Sequence, residues 1–97
     1  MGERSTIVLN DKWCWVNIEM KDIKKGDIFR SLEANKTPVW GDGAFKSIRT
    51  FIALKDAEIK KGVAGVVSDG VPCVNEYTRT YIDMENNEHA YNGRTIL

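Results

Sequence analysis

Three dipeptides, Asp42-Gly43, Asp69-Gly70 and Asn92-Gly93, constrain this chain more than any other feature. Each suits a two-residue hairpin turn, in which both central residues take positive φ. Strand-like sequence flanks all three. Thr37 to Trp40 leads into the first and Phe45 to Leu54 leads out; Gly62 to Ser68 and Val71 to Ile82 flank the second; Glu88 to Tyr91 and Arg94 to Leu97 flank the third. With Thr6 to Leu9, Lys12 to Met20 and Ile28 to Glu33, roughly seven to nine short strands are predicted. No window of helical length carries an apolar i, i+3, i+4, i+7 stripe. Met20 to Lys25 and Asp56 to Lys61 are each expected to form one helical turn at most. The predicted class is therefore mainly β: a small antiparallel barrel or sandwich built of hairpins, with at most one or two short helical turns.

A length of 97 residues makes one domain with a thin core, and self-association is a common supplement at this size. Residues 1–97 read as a single β-rich domain, with a flexible N-terminus over 1–5 and a C-terminal hairpin or mobile tail over 84–97. Lysine plus arginine (14) balances aspartate plus glutamate (14). That balance argues against bulk nucleic acid as a partner, since displacing counterions from phosphates needs a basic surplus. No apolar run approaches the length of a membrane span, and no signal-peptide h-region is visible, so no membrane role is expected.

The segment Lys12 to Met20, read as a strand, places Cys14, Val16, Ile18 and Met20 on one apolar face. The opposite face carries Trp13, Trp15, Asn17 and Glu19. Two indoles thus stand where polar residues belong; they are either covered by another part of the chain or offered to a partner. In Val71 to Ile82 one face carries Tyr77, Arg79 and Tyr81, aromatic-cation-aromatic at alternate positions. Planar aromatics and a guanidinium suit stacking on a nucleobase or anchoring a protein interface. Arg49 or Lys12 would assist Arg79 in neutralising a phosphate. The candidate contacts are Trp13, Trp15, Arg49, Tyr77, Arg79 and Tyr81. The competing structural explanation is that the indoles pack under the C-terminal segment and the tyrosines form ordinary cross-strand pairs.

Catalytic chemistry is thin. The single histidine, His89, lies in a polar stretch and reads as a solvated loop residue. Cys14 and Cys73 read as buried free thiols rather than a disulfide. No CxxC or HxxxH spacing supports a metal site, and Gly41-Asp42-Gly43 lacks the lysine and helix of a phosphate-cradling loop. The turn aspartates Asp22, Asp27, Asp42, Asp56 and Asp69 suit capping of backbone amides. No catalytic residue, cofactor or metal is expected. Asp22-Ile23-Lys24-Lys25-Gly26 and Glu58-Ile59-Lys60-Lys61-Gly62 read as one turn recipe used twice, each ending in a left-handed glycine before a strand.

The stretch Lys21-Asp22-Ile23-Lys24-Lys25-Gly26-Asp27-Ile28-Phe29-Arg30, then Leu32-Glu33 and Thr37-Pro38-Val39, resembles a family of small tailed-bacteriophage proteins. In that family a KKGD turn enters an aromatic-bearing strand. Phe51 to Ile59 is similar to the family's second block, so the resemblance covers residues 20 to 62. It implies no site residues. It implies a setting, the bacterial host cytoplasm. The function expected from these features together is a non-enzymatic phage-encoded binding protein, homo-oligomeric, that inhibits bacterial antiviral defence. It would act by sequestering a nucleotide second messenger or by blocking a host defence protein. The alternative is a structural or assembly protein of the phage virion.

Overall fold

The computed structural model describes residues 5–33, 50–71 and 73–91, with Cys73 described through its backbone alone. The expected strands over 37–40 and 94–97, the start of the strand over 45–54, the Asp42-Gly43 and Asn92-Gly93 turns and the residues before Ser5 lie outside this set. Among the described residues ten strands form three antiparallel sheets, so the chain is mainly β. β1 (Ser5–Leu9), β2 (Trp15–Ile18), β3 (Ile28–Leu32), β4 (Thr50–Ala53) and β7 (Ser68–Val71) make a five-stranded sheet in the order β2-β1-β3-β4-β7. β5 (Glu58–Lys60) pairs with β6 (Val63–Gly65). β8 (Cys73–Asn75), β9 (Thr80–Ile82) and β10 (Glu88–Ala90) form the third sheet in the order β10-β9-β8. The five-stranded sheet is not closed into a barrel, and the C-terminal sheet packs over one of its faces.

Strand alternation gives the central sheet two apolar faces. The register Val8↔Val16, Val8↔Phe29 and Phe29↔Phe51 aligns one face, which with Ile23 and Ala53 forms the first core cluster. Val16, Ile18 and Met20 pack against it, as the alternation in 12–20 predicts. The opposite face presents Leu9, Trp15, Ile28 and Ile52, which gather under Tyr91, Val74 and Tyr81 of the C-terminal sheet. Both faces are covered, which explains why β3 opens with two consecutive buried residues, Ile28 and Phe29.

The first face is covered by a 3-10 turn at Met20–Asp22 and by Ala57 and Val66 in the middle of a long hairpin. β4 with β7, and β5 with β6, are the two halves of that hairpin. Between the pairs Ala53↔Ser68 and Glu58↔Gly65 the outgoing strand uses four residues (54–57) and the returning strand two (66 and 67). The surplus makes a bulge, whose Ala57 and Val66 pack on the core. The bulge is fastened to the Lys24-Lys25-Gly26-Asp27 turn: Lys25 N donates to Asp56 Oδ1 (2.9 Å) and Ala57 N to Ile23 O (2.9 Å).

The repeated turn recipe folds in two ways. At Gly26 (φ 88°) the Asp27 amide donates to Lys24 O at 3.0 Å, the pattern of a type II turn, and buried Asp27 accepts the Lys24 amide at 2.8 Å. Lys61 (φ 52°) and Gly62 (φ 76°) instead form a two-residue type I′ hairpin turn between β5 and β6. Residues 56–61 are therefore strand and turn, not the helical turn expected. Asp69-Gly70 is also corrected: both residues lie inside β7, opposite Ile52 and Phe51. Lys61-Gly62 closes the hairpin, and the missing Cβ at Gly70 makes room for Met84, whose Sδ lies 3.2 Å from where that Cβ would stand.

Candidate functional site

The two indoles do not share a strand face, because residues 10–14 form a loop. Asn10 Oδ1 accepts from the amides of Lys12 (2.9 Å) and Cys14 (3.0 Å), while Asn10 N donates to Cys14 O at 3.0 Å. An asparagine that bonds its own backbone competes with strand pairing, so β2 starts only at Trp15. Cys14, expected buried, is consequently an exposed free thiol. Trp13 is held at φ 58°, a conformation that costs a bulky residue about 1–3 kcal/mol. Its ring meets Tyr91 edge-on at 5.4 Å between centroids, a contact that offsets part of this strain.

Trp15 faces the C-terminal layer. Its Nε1 donates to Glu76 Oε1 at 3.3 Å, and the Arg30 guanidinium lies 4.2 Å from its ring centre. Arg30 Nε also donates to Thr50 Oγ1 at 2.9 Å. Burial lowers the Arg30 pKa from its ordinary value, and the nearby Glu76 charge partly counters that. Both indoles are half-buried under the chain's own C-terminal segment. The face of Trp15 suited to stacking already carries a cation, so a nucleobase would have to displace Arg30.

Tyr77, Arg79 and Tyr81 are separated as well. Residues 76–79 are the loop of the β8–β9 hairpin, since Asn75 Oδ1 accepts from the amides of Tyr77 (3.0 Å) and Thr78 (3.3 Å) and Arg79 takes φ 55°. Tyr81 turns inward and stacks on His89 at 5.1 Å. Tyr77 stands at the tip with full solvent exposure, and among the described residues no other tyrosine, tryptophan or phenylalanine is exposed. Arg79 is exposed beside it, and Arg49 lies outside the described residues. His89 lies on β10 rather than in a loop, and its Nε2 contacts Asp83 Oδ2 at 2.7 Å.

Arg30, Thr50 and Glu76 were not among the candidates. For Arg30 a signal existed, a guanidinium between Ile28 and Leu32 on an otherwise apolar strand face. Also unforeseen was a run of exposed apolar side chains, Leu54, Ile59, Val63 and Val67, on the long hairpin. A shallow groove of about 320 Å³ there is bounded by Asp56, Glu58, Lys60, Val63 and Val67. Its two carboxylates and lack of aromatic side chains fit an anionic nucleotide poorly. Among the described residues no three His, Cys, Asp or Glu side chains gather as a metal site, and no helix is long and apolar enough to cross a membrane. No family model, curated protein or solved structure matches the chain.

Proposed function

We propose that this chain is a non-enzymatic binding protein that grips another protein through the tip of the β8–β9 hairpin. The carrying observation is Tyr77, a fully exposed aromatic at the apex of a turn that Asn75 braces through two amides. Large rigid aromatics supply contact area at low entropic cost and dominate protein interfaces. Of the two modes of action expected from the sequence, blocking a protein is favoured over sequestering a nucleotide. Arg30 already occupies the Trp15 face, and the groove carries acidic side chains. The phage-like pattern over residues 20 to 62 supports a bacterial host protein of antiviral defence as the target.

The test is phage plating on a panel of defence-carrying bacterial hosts that express the chain. Wild type should raise plating on at least one host, and Tyr77→Ser should lose the effect with an unchanged melting temperature. Truncating an anchor of this kind costs about 2 kcal/mol or more, roughly a thirtyfold loss of affinity. An effect that survives Tyr77→Ser overturns the reading, as does a panel without response. Stoichiometric amounts of the chain in purified virions would favour the assembly role instead.

A further inference from the structure

We infer that β5 is the edge through which two copies of this chain pair, antiparallel and centred on Ile59. This surface is separate from Tyr77. Lys60↔Val63 closes the two-residue hairpin as a hydrogen-bonded pair, so Ile59↔Ala64 is the non-bonded pair that follows it. The Ile59 N–H and C=O therefore point away from β6, and no described residue bonds them. Such an edge is a template for strand addition. Its side chain is also apolar and 61 % exposed.

The charges flanking Ile59 identify the occupant. In an antiparallel pair centred on Ile59, the two isoleucines exchange both backbone hydrogen bonds across a two-fold axis. Glu58 of each copy then stands opposite Lys60 of the other, in the closer, non-bonded type of pair. In the protomer these two side chains already reach each other along the strand at 3.6 Å while remaining largely exposed. Pairing extends this contact into a four-charge cluster of alternating sign. A parallel arrangement would set Glu58 against Glu58 and Lys60 against Lys60, and is disfavoured. Asp56 and Lys61 continue the acid-to-base order along the edge. On the other side of the ribbon the two Ile59 side chains cover each other. The edge is thus self-complementary in one orientation.

Sedimentation equilibrium on the full chain tests this with a charge-exchange set. Wild type should form a dimer in a concentration-dependent manner. Glu58→Lys and Lys60→Glu should each weaken self-association about tenfold, with melting temperatures unchanged at dilutions where the chain is monomeric. An equimolar mixture of those two variants should restore dimer, now as the mixed species, because one supplies only cations at these positions and the other only anions. The double variant carrying both exchanges should dimerise like wild type. A wild type that stays monomeric, dimers indifferent to these exchanges, or a mixture that does not recover association each overturns the assignment.

Discussion

The two faces of the central sheet are covered in different ways. Over Val8, Ile23, Phe29 and Ala53 lies chain fastened mainly by its backbone: Gly26 N to Ala53 O at 2.8 Å, Ala53 N to Asp27 O at 2.9 Å and Ala57 N to Ile23 O at 2.9 Å. Over Leu9 and Ile28 lies the C-terminal sheet, held by side chains. Tyr91 OH donates to Leu9 O at 2.7 Å, Trp13 meets the Tyr91 ring, and Trp15 reaches Glu76. Backbone fastening survives substitution at most positions, so the first cover should open only with the whole fold. Fastening by three or four side chains is alterable one residue at a time, so the second cover should loosen locally.

Substitutions that strike one cover and spare the other test this contrast. The largest effect is expected at Ile23, which is fully buried between the 3-10 turn and the bulge. Ile23→Ala should lower unfolding stability by about 2–5 kcal/mol, seen as a single cooperative shift of the denaturant midpoint with unchanged slope. A separate early transition in that variant would break the contrast. A smaller effect is expected at Tyr91. Tyr91→Phe keeps the ring against Trp13 and removes the bond to Leu9 O, at a cost of about 0.5–1.5 kcal/mol. Hydrogen exchange should quicken across β8, β9 and β10 while β1, β3 and β4 keep their protection. Uniform quickening would show that the two covers form one cooperative unit.

The part of the fold legible in the sequence is the part governed by local pattern. Alternation in Val16-Asn17-Ile18 and the left-handed glycines at Gly26 and Gly62 are properties of a few neighbouring residues, and each has its expected form. Asp69-Gly70 misleads because a turn dipeptide is still carried inside a strand when another two-residue turn, Lys61-Gly62, closes the hairpin first. The aromatic faces mislead for a shared reason. Asn10 and Asn75 each draw the following amides into a loop and interrupt the alternation that would have aligned Trp13 with Trp15 and Tyr77 with Tyr81. Arg30 could be placed on its strand face, but its partners Trp15, Thr50 and Glu76 come from three other segments. Strand order, which brings them together, is not written in any one of those segments.

The smallest effect concerns the last loop of the C-terminal cover, where Asp83 accepts from the amides of Glu85 (2.9 Å) and Asn87 (2.9 Å) and contacts His89 at 2.7 Å. The Asn87 amide, and after it the His89 side chain, hold the Asp83 carboxyl below its ordinary value of 3.8. A carboxyl depressed on folding adds stability that is fully present above the ordinary value and is lost as the pH falls through the lowered one. Because Asp83 is solvent-facing, the loss should stay within the loop. In a His89→Gln variant, which removes the imidazole touching Asp83, the Asn87 amide resonance should therefore hold steady from neutral pH down to the ordinary carboxylate range and move only below it. Signals of Leu9 and Tyr91 should not follow. Asp83→Asn keeps an acceptor oxygen but removes the titration, so its loop amides should lose the acid step. If the Asn87 amide of the His89→Gln variant instead moves at or above the ordinary carboxylate range, Asp83 does not organise this loop. If Leu9 moves with them, the second cover responds as one body, and the contrast with the first cover lies in strength alone.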